Sequence, residues 1–195
     1  GDFSTGSSFE LKVWTEYAVD SKQSNDTTVY PLGALNSFPY VEDFERGTAG
    51  WTTEELKGTN VWELGRPAQS PINTASSGLN AWMTGLSANY PDLSKMTLNS
   101  PFFDFSTLSS PRFCFDSYFV TEQDWDAFVI EYSEDGSNWN KITMPDYNST
   151  NNEGTTVTID QPWYSGTNGG WKTSCVDLPS LSGKSKVKFR IHFES

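Results

Sequence analysis

Apolar and polar residues alternate along this chain in short runs, and no stretch keeps the three-to-four spacing of an amphipathic helix. The first run, Phe9 to Tyr17, puts Phe9, Leu11, Val13, Thr15 and Tyr17 on one face. Glu10, Lys12, Trp14 and Glu16 fall on the other, the period-two pattern of a half-buried strand. A polar turn at Asp20–Asp26 and a short run through Thr27–Tyr30 follow. Tyr40–Glu45 reads as the next strand, with others near residues 60–64, 79–84, 96–103, 111–119, 126–133, 138–143, 171–178 and 186–193. Asp135-Gly136 suits a tight hairpin turn needing positive φ. Strands at this spacing, separated by turn residues, predict an all-β sandwich.

Two strands are too few for a stable domain. Residues 1–35 are therefore read as the closing strands of a preceding Ig-like β-sandwich, and Pro31–Pro39 as a linker. Residues 36–195 form the second unit. Its last run sets Lys184, Lys186, Lys188 and Arg190 against Val187, Phe189, Ile191 and Phe193, predicting a core strand with a basic outer stripe. The stripe reads as a solvated face that discourages edge pairing. Residues 145–170, rich in Asn, Gly and Thr, read as one elaborate loop.

Composition narrows the function. The 195 residues carry a formal charge of −12, which argues against nucleic acid or an anionic membrane surface as partner. Only 35% are hydrophobic but 15% are aromatic, and large rings can fill a core with few residues, so disorder is not expected. No apolar run is long enough to span a membrane. The abundance of Ser, Thr, Asn, Gly and Trp reads as exported, a mature piece of a longer secreted or cell-surface protein.

Several phrases occur in a familiar order: Glu42 to Trp51, Ser77 to Trp82, Leu98 to Ser106, Asp126 to Gly136 and Lys186 to Phe193. They resemble the MAM-like, galactose-binding-like jelly-roll modules of large bacterial surface proteins, especially cargo of the type IX secretion system. The resemblance implies a jelly roll whose final strand, pairing near Val41–Glu45, lies outside this sequence. It also implies a structural calcium held by Asp43, Glu45 and Asn80, with the Ser77–Asn80 loop adding carbonyl or amide oxygens. Trp51, Trp62, Trp82, Trp139 and Trp171 fall at positions that pack the sandwich in such modules. Trp125, Trp163 and Tyr164 would then be free for a ligand.

Catalytic signatures are thin. His192 falls by parity on the polar face of the last strand and reads as a surface histidine. No G-x-S-x-G, H-E-x-x-H, P-loop or C-x-x-C is present. Sugar sites combine a ring that stacks on a pyranose with carboxylates or amides for its hydroxyls. Trp125 between Asp124 and Asp126, and Trp163-Tyr164 near Trp171, have those ingredients. Parity turns Cys114 and Cys175 outward, and jelly-roll order would put their strands in different sheets. Export favours a disulfide and geometry opposes it, so the pairing stays open. The sequons at Asn25 and Asn148 matter only in a eukaryotic secretory route, and Asp26-Thr27-Thr28 is a weak acceptor triplet for bacterial O-glycosylation. The expected role is a non-catalytic module, adhesive or structural; the alternative is an accessory carbohydrate- or protein-binding module of a secreted hydrolase. Its partners would be the other domains of the same polypeptide and a glycan or surface protein.

Overall fold

The computed structural model describes residues 10–14, 27–31, 34–154 and 157–195. Strands β1 (Glu10–Trp14) and β2 (Thr27–Pro31) form an antiparallel hairpin in which Leu11 faces Tyr30 and Val13 faces Thr28. Among the described residues this hairpin pairs with no other strand. The turn at Asp20–Asp26 and the sequon at Asn25 lie outside the described residues.

The rest is a β-sandwich. Its complete layer is an antiparallel five-stranded sheet in the order β3 (Thr52–Lys57), β6 (Lys95–Phe103), β11 (Val187–Glu194), β8 (Ala127–Ser133) and β9 (Asn140–Lys141). The facing layer consists of two separate ribbons, β4 (Trp62–Gly65) with β5 (Ala81–Thr84), and β7 (Arg112–Ser117) with β10 (Lys172–Asp177). Alternation sets the inner face: Met96, Phe128, Ile130, Val187, Phe189 and Phe193 join Phe103 and Phe105 in one buried cluster. Phe113 stacks on Phe189 with ring centroids 4.6 Å apart and ties the β7 ribbon to the sheet.

Three expectations are corrected. β3 is a strand where none is expected, because Thr-Thr-Glu-Glu-Leu-Lys is largely exposed and shows no apolar alternation. Tyr40–Glu45 is irregular and runs into a turn at Phe44–Glu45. Its own acids fold it back, with Glu42 accepting the Phe44 amide at 2.8 Å and Asp43 the Glu45 amide at 3.1 Å. Phe44 takes φ of 60° and wedges edge-on between Trp51 and Trp82. The linker reading also fails at its C-terminal half. Leu35 forms a parallel bridge with Phe103, and Phe38 packs edge-on against Phe105 at 5.4 Å.

The cysteines are joined. Parity places Cys114 on the outer face of β7 as expected, but β10 is the neighbouring antiparallel strand and not a strand of the other sheet. Cys114 and Cys175 sit directly opposite each other, Cα atoms 4.2 Å apart, and form a disulfide. That separation is the narrow, non-hydrogen-bonded type of antiparallel pair, where side chains approach most closely.

Candidate functional site

Asp43, Glu45 and Asn80 do come together, but with the wrong polarity for calcium. The Glu45 carboxylate accepts the backbone amides of Leu79 at 2.8 Å and Asn80 at 2.7 Å. Asn80 turns its Nδ2 toward the carbonyl of Phe44. The loop thus offers N–H donors to an anion, whereas Ca²⁺ needs six to eight oxygens. Among the described residues no group of three or more His, Cys, Asp or Glu is placed to share a metal. Gly78 makes the arrangement possible: φ is 59° there, and a Cβ would lie 2.6 Å from the Glu45 carboxyl. The residues present do not fit calcium. We expect millimolar calcium or EDTA to leave the melting temperature unchanged. Glu45→Ala should cost about 1 kcal/mol by freeing two amides, read by denaturant unfolding.

The second predicted cluster divides. Trp163 and Tyr164 are buried, at 1% and 2% exposure, and cannot meet a ligand. The long loop doubles back here, and Tyr164 bridges Phe128 of β8 while Trp163 bridges Ser149. Consecutive residues on an extended segment point to opposite faces. Tyr164 therefore enters the main core, stacked on Phe128 at 4.8 Å, with its hydroxyl on Asp146 at 2.6 Å. Trp163 enters a smaller cluster on the outer face of the five-stranded sheet with Ala127, Val129 and Val157. Burial first, then the Asp146 bond, pushes the Tyr164 phenol well above its ordinary value.

Trp125 is 43% exposed on a turn between two acids. Asp124 holds that turn at φ of 65°, where Asp is tolerated. The hydroxyl of Ser149 at 2.5 Å and the amide of Gln123 lower its pKa. Asp126 is buried, accepting the Tyr90 hydroxyl at 2.6 Å and the Glu122 amide at 3.2 Å, so it anchors the turn and is withdrawn from the surface. The indole rests on Gly154, where any Cβ would lie 3.1 Å from the ring.

The basic stripe is largely spoken for. Lys184 pairs with Glu134 at 2.8 Å, Lys186 and Lys188 lie over the Phe102 ring, and Arg190 stacks on Trp139 while bonding Glu131 at 2.6 Å. His192 is on the outer face as parity predicts, yet it is 8% exposed because the long loop covers it. Its Nδ1 lies 3.2 Å from Glu131 and its Nε2 3.2 Å from Glu194. Glu194 also takes Lys95 at 2.9 Å and the Thr158 amide of the loop. Burial alone would discharge both partners. The flanking carboxylates nevertheless hold the His192 pKa above 6.5. His192, Thr158 and Lys95 together hold Glu194 down to about 2.

The signs fix a pH dependence. A raised histidine stabilises fully below its unfolded value of 6.5 and less as pH climbs through its folded one. A depressed carboxylate stabilises above 4.5 and loses its contribution as pH falls toward about 2. This cluster should therefore contribute most between pH 4.5 and 6.5. Thermal unfolding across pH should show a decline above neutrality that His192→Gln flattens.

One cleft was not predicted. A cleft of about 830 Å³ lies between the two ribbons, floored by the aromatic inner face of the five-stranded sheet. Trp62 and Trp82, expected as packing residues, line it, and both indole N–H groups are buried without an acceptor. Its signal in the sequence is the density of rings, which reads equally as core.

No protein-family model matches the chain. Over 144 residues it is 34% identical to Bacillopeptidase F of Bacillus subtilis (strain 168), a stretch covering 73% of this chain and 9% of that protein. The chain thus corresponds to a small part of that relative's length. No helix among the described residues is long and apolar enough to cross a membrane.

Proposed function

We propose that this chain is a non-catalytic β-sandwich module of an exported peptidase-type hydrolase, which engages the enzyme's substrate rather than cutting it. The likeness to a 9% stretch of Bacillopeptidase F carries this reading, since a segment of that size is one part of a large protein. Two structural facts support it. The one histidine is locked between Glu131 and Glu194 beneath a loop. The Cys114–Cys175 bond suits an oxidising, extracellular setting. The exposed Trp125 turn is the contact surface, because a rigid ring offers large area at small entropic cost.

The test is a binding and cleavage assay of the purified chain with a denatured protein and with soluble polysaccharides. Binding without hydrolysis is expected. Trp125→Ala should weaken binding at least about tenfold while changing stability by less than about 0.5 kcal/mol. Hydrolysis by the chain alone would remove the non-catalytic reading. Affinity for whole cell surfaces but for neither polymer would favour the adhesive role.

A further inference from the structure

Six large apolar side chains are exposed among the described residues, and four of them fall at one end of the sandwich. A row of paired residues, Lys57, Lys95, Glu194 and Ala127, marks that end across four strands of the sheet. Leu56 precedes Lys57 on β3, Leu93 stands two residues before Lys95, and Trp125 two before Ala127. Val120 lies in the connection from β7 to the Trp125 turn. The Leu93 and Trp125 loops are tied together, since the Tyr90 hydroxyl donates to Asp126 at 2.6 Å. The other two, Val41 and Leu79, flank the Glu45 loop at the opposite end. Single exposed apolar residues are ordinary on a protein surface, whereas several gathered by different loops mark a place of contact.

Leu93 is the most informative member. It is 54% exposed, so burial does not demand leucine there. Its φ is 64°, a left-handed conformation that a bulky side chain adopts only under strain. The backbone is also crowded, since a Cβ at Gly58 would lie 2.9 Å from the Leu93 carbonyl oxygen. Neither packing nor backbone preference selects this side chain. Strain of this kind collects at functional sites, and contact with a partner supplies the missing reason.

We propose that this end of the sandwich binds an extended, cationic and apolar segment of an unfolded polypeptide, with Leu56, Leu93 and Trp125 as its anchors. The inference rests on the reading of the chain as a module that engages a peptidase's substrate, and it names the kind of substrate. Charge sets the sign. Glu55, Asp92, Glu122 and Glu153 are exposed in these loops and strand ends, and Asp124 joins them beside Trp125. Among the described residues Lys57 and Lys172 are the exposed cations at this end, while Lys95 is paired with Glu194 at 2.9 Å. That balance, in a chain of net charge −12, attracts basic segments and repels acidic ones. Distance sets the shape. From β3 to β8 the sheet takes three strand spacings, about 14 Å, which an extended backbone of about four residues covers.

The experiment measures the binding of short fluorescent peptides to the chain by anisotropy. One peptide carries leucine and lysine among serines, a second has glutamate for lysine, and a third has serine for leucine. A soluble polysaccharide completes the set. The first peptide should bind at least about tenfold more tightly than the second or third, and raising the salt should weaken it. Trp125→Ala and Leu93→Asn should each weaken it at least about tenfold. Asparagine accepts the left-handed conformation, so Leu93→Asn should keep or raise the melting temperature while binding falls. Leu79→Ser, at the opposite end, should leave binding unchanged. Equal affinity for the basic and acidic peptides would overturn the inference, as would binding that survives Leu93→Asn. Polysaccharide binding lost in Trp125→Ala, with no peptide bound, would overturn it and leave the substrate-engaging module standing. Binding of none of these, nor of a denatured protein, would remove both.

Discussion

Replacing Trp163 by alanine is expected to destabilise the sandwich by about 3–5 kcal/mol, the range for a fully buried large ring. The substitution removes the roof of the small cluster with Ala127, Val129 and Val157, and the loop that carries it loses its main apolar anchor. Unfolding in urea should show the loss as a lower midpoint at unchanged slope. A residue adapted to meet a ligand would show the opposite profile, with binding impaired and stability intact. Trp125, on its exposed turn, is expected to follow that second profile. The pair thus separates the two roles that the sequence could not.

Replacing both cysteines with serine should cost about 4 kcal/mol, given a closed loop with a separation of 61 residues. For a chain of this size that is a fall in melting temperature of roughly 8–16 °C. The loss should fall on the β7–β10 ribbon first, since it borders the cleft on one side and leans on the sheet chiefly through its inward rings. Reduction of the native protein with a dithiol should reproduce the double substitution. An equal melting temperature in oxidised and reduced protein would count against the account.

Most strands were legible because their apolar residues alternate over a hydrophobic floor. The period is a direct consequence of the pleat and needs no tertiary knowledge. β3 was hidden because its side chains meet water, and only the free edge of β6 makes Thr52–Lys57 extended. Tyr40–Glu45 misled for the opposite reason. It alternates like a strand, but Glu42 and Asp43 bond their own backbone and bend it. The cysteine faces were readable from parity, whereas the adjacency of β7 and β10 depends on a long crossover that local pattern does not encode. Pro162-Trp163-Tyr164 looked like a loop with spare rings. Its doubling back onto β8 sends one ring into each of two cores, and neither burial is visible from composition. At the candidate site, Trp125 was legible as an exposed ring, and the Asp43/Glu45 pair was legible as a cluster. The direction of its hydrogen bonds was not, because a carboxylate beside a loop can meet amides or a cation, and only the backbone orientation decides.

The covering loop has a bearing on survival. A polypeptide that travels with a peptidase is exposed to it for its whole lifetime, and nicking concentrates in exposed segments that can be drawn out into an extended form. The irregular stretch after β9 is the obvious place for such an attack. Much of it is stitched down: Lys141 reaches the carbonyls of Asp160 and Pro162, Thr158 is held by Glu194, and Ser149 and Trp163 pair through their backbones. To enter a protease cleft these residues would first have to strip Trp163 from its pocket and uncover a charged cluster. The same contacts that shape the sandwich therefore hold the described part of this loop back from such attack.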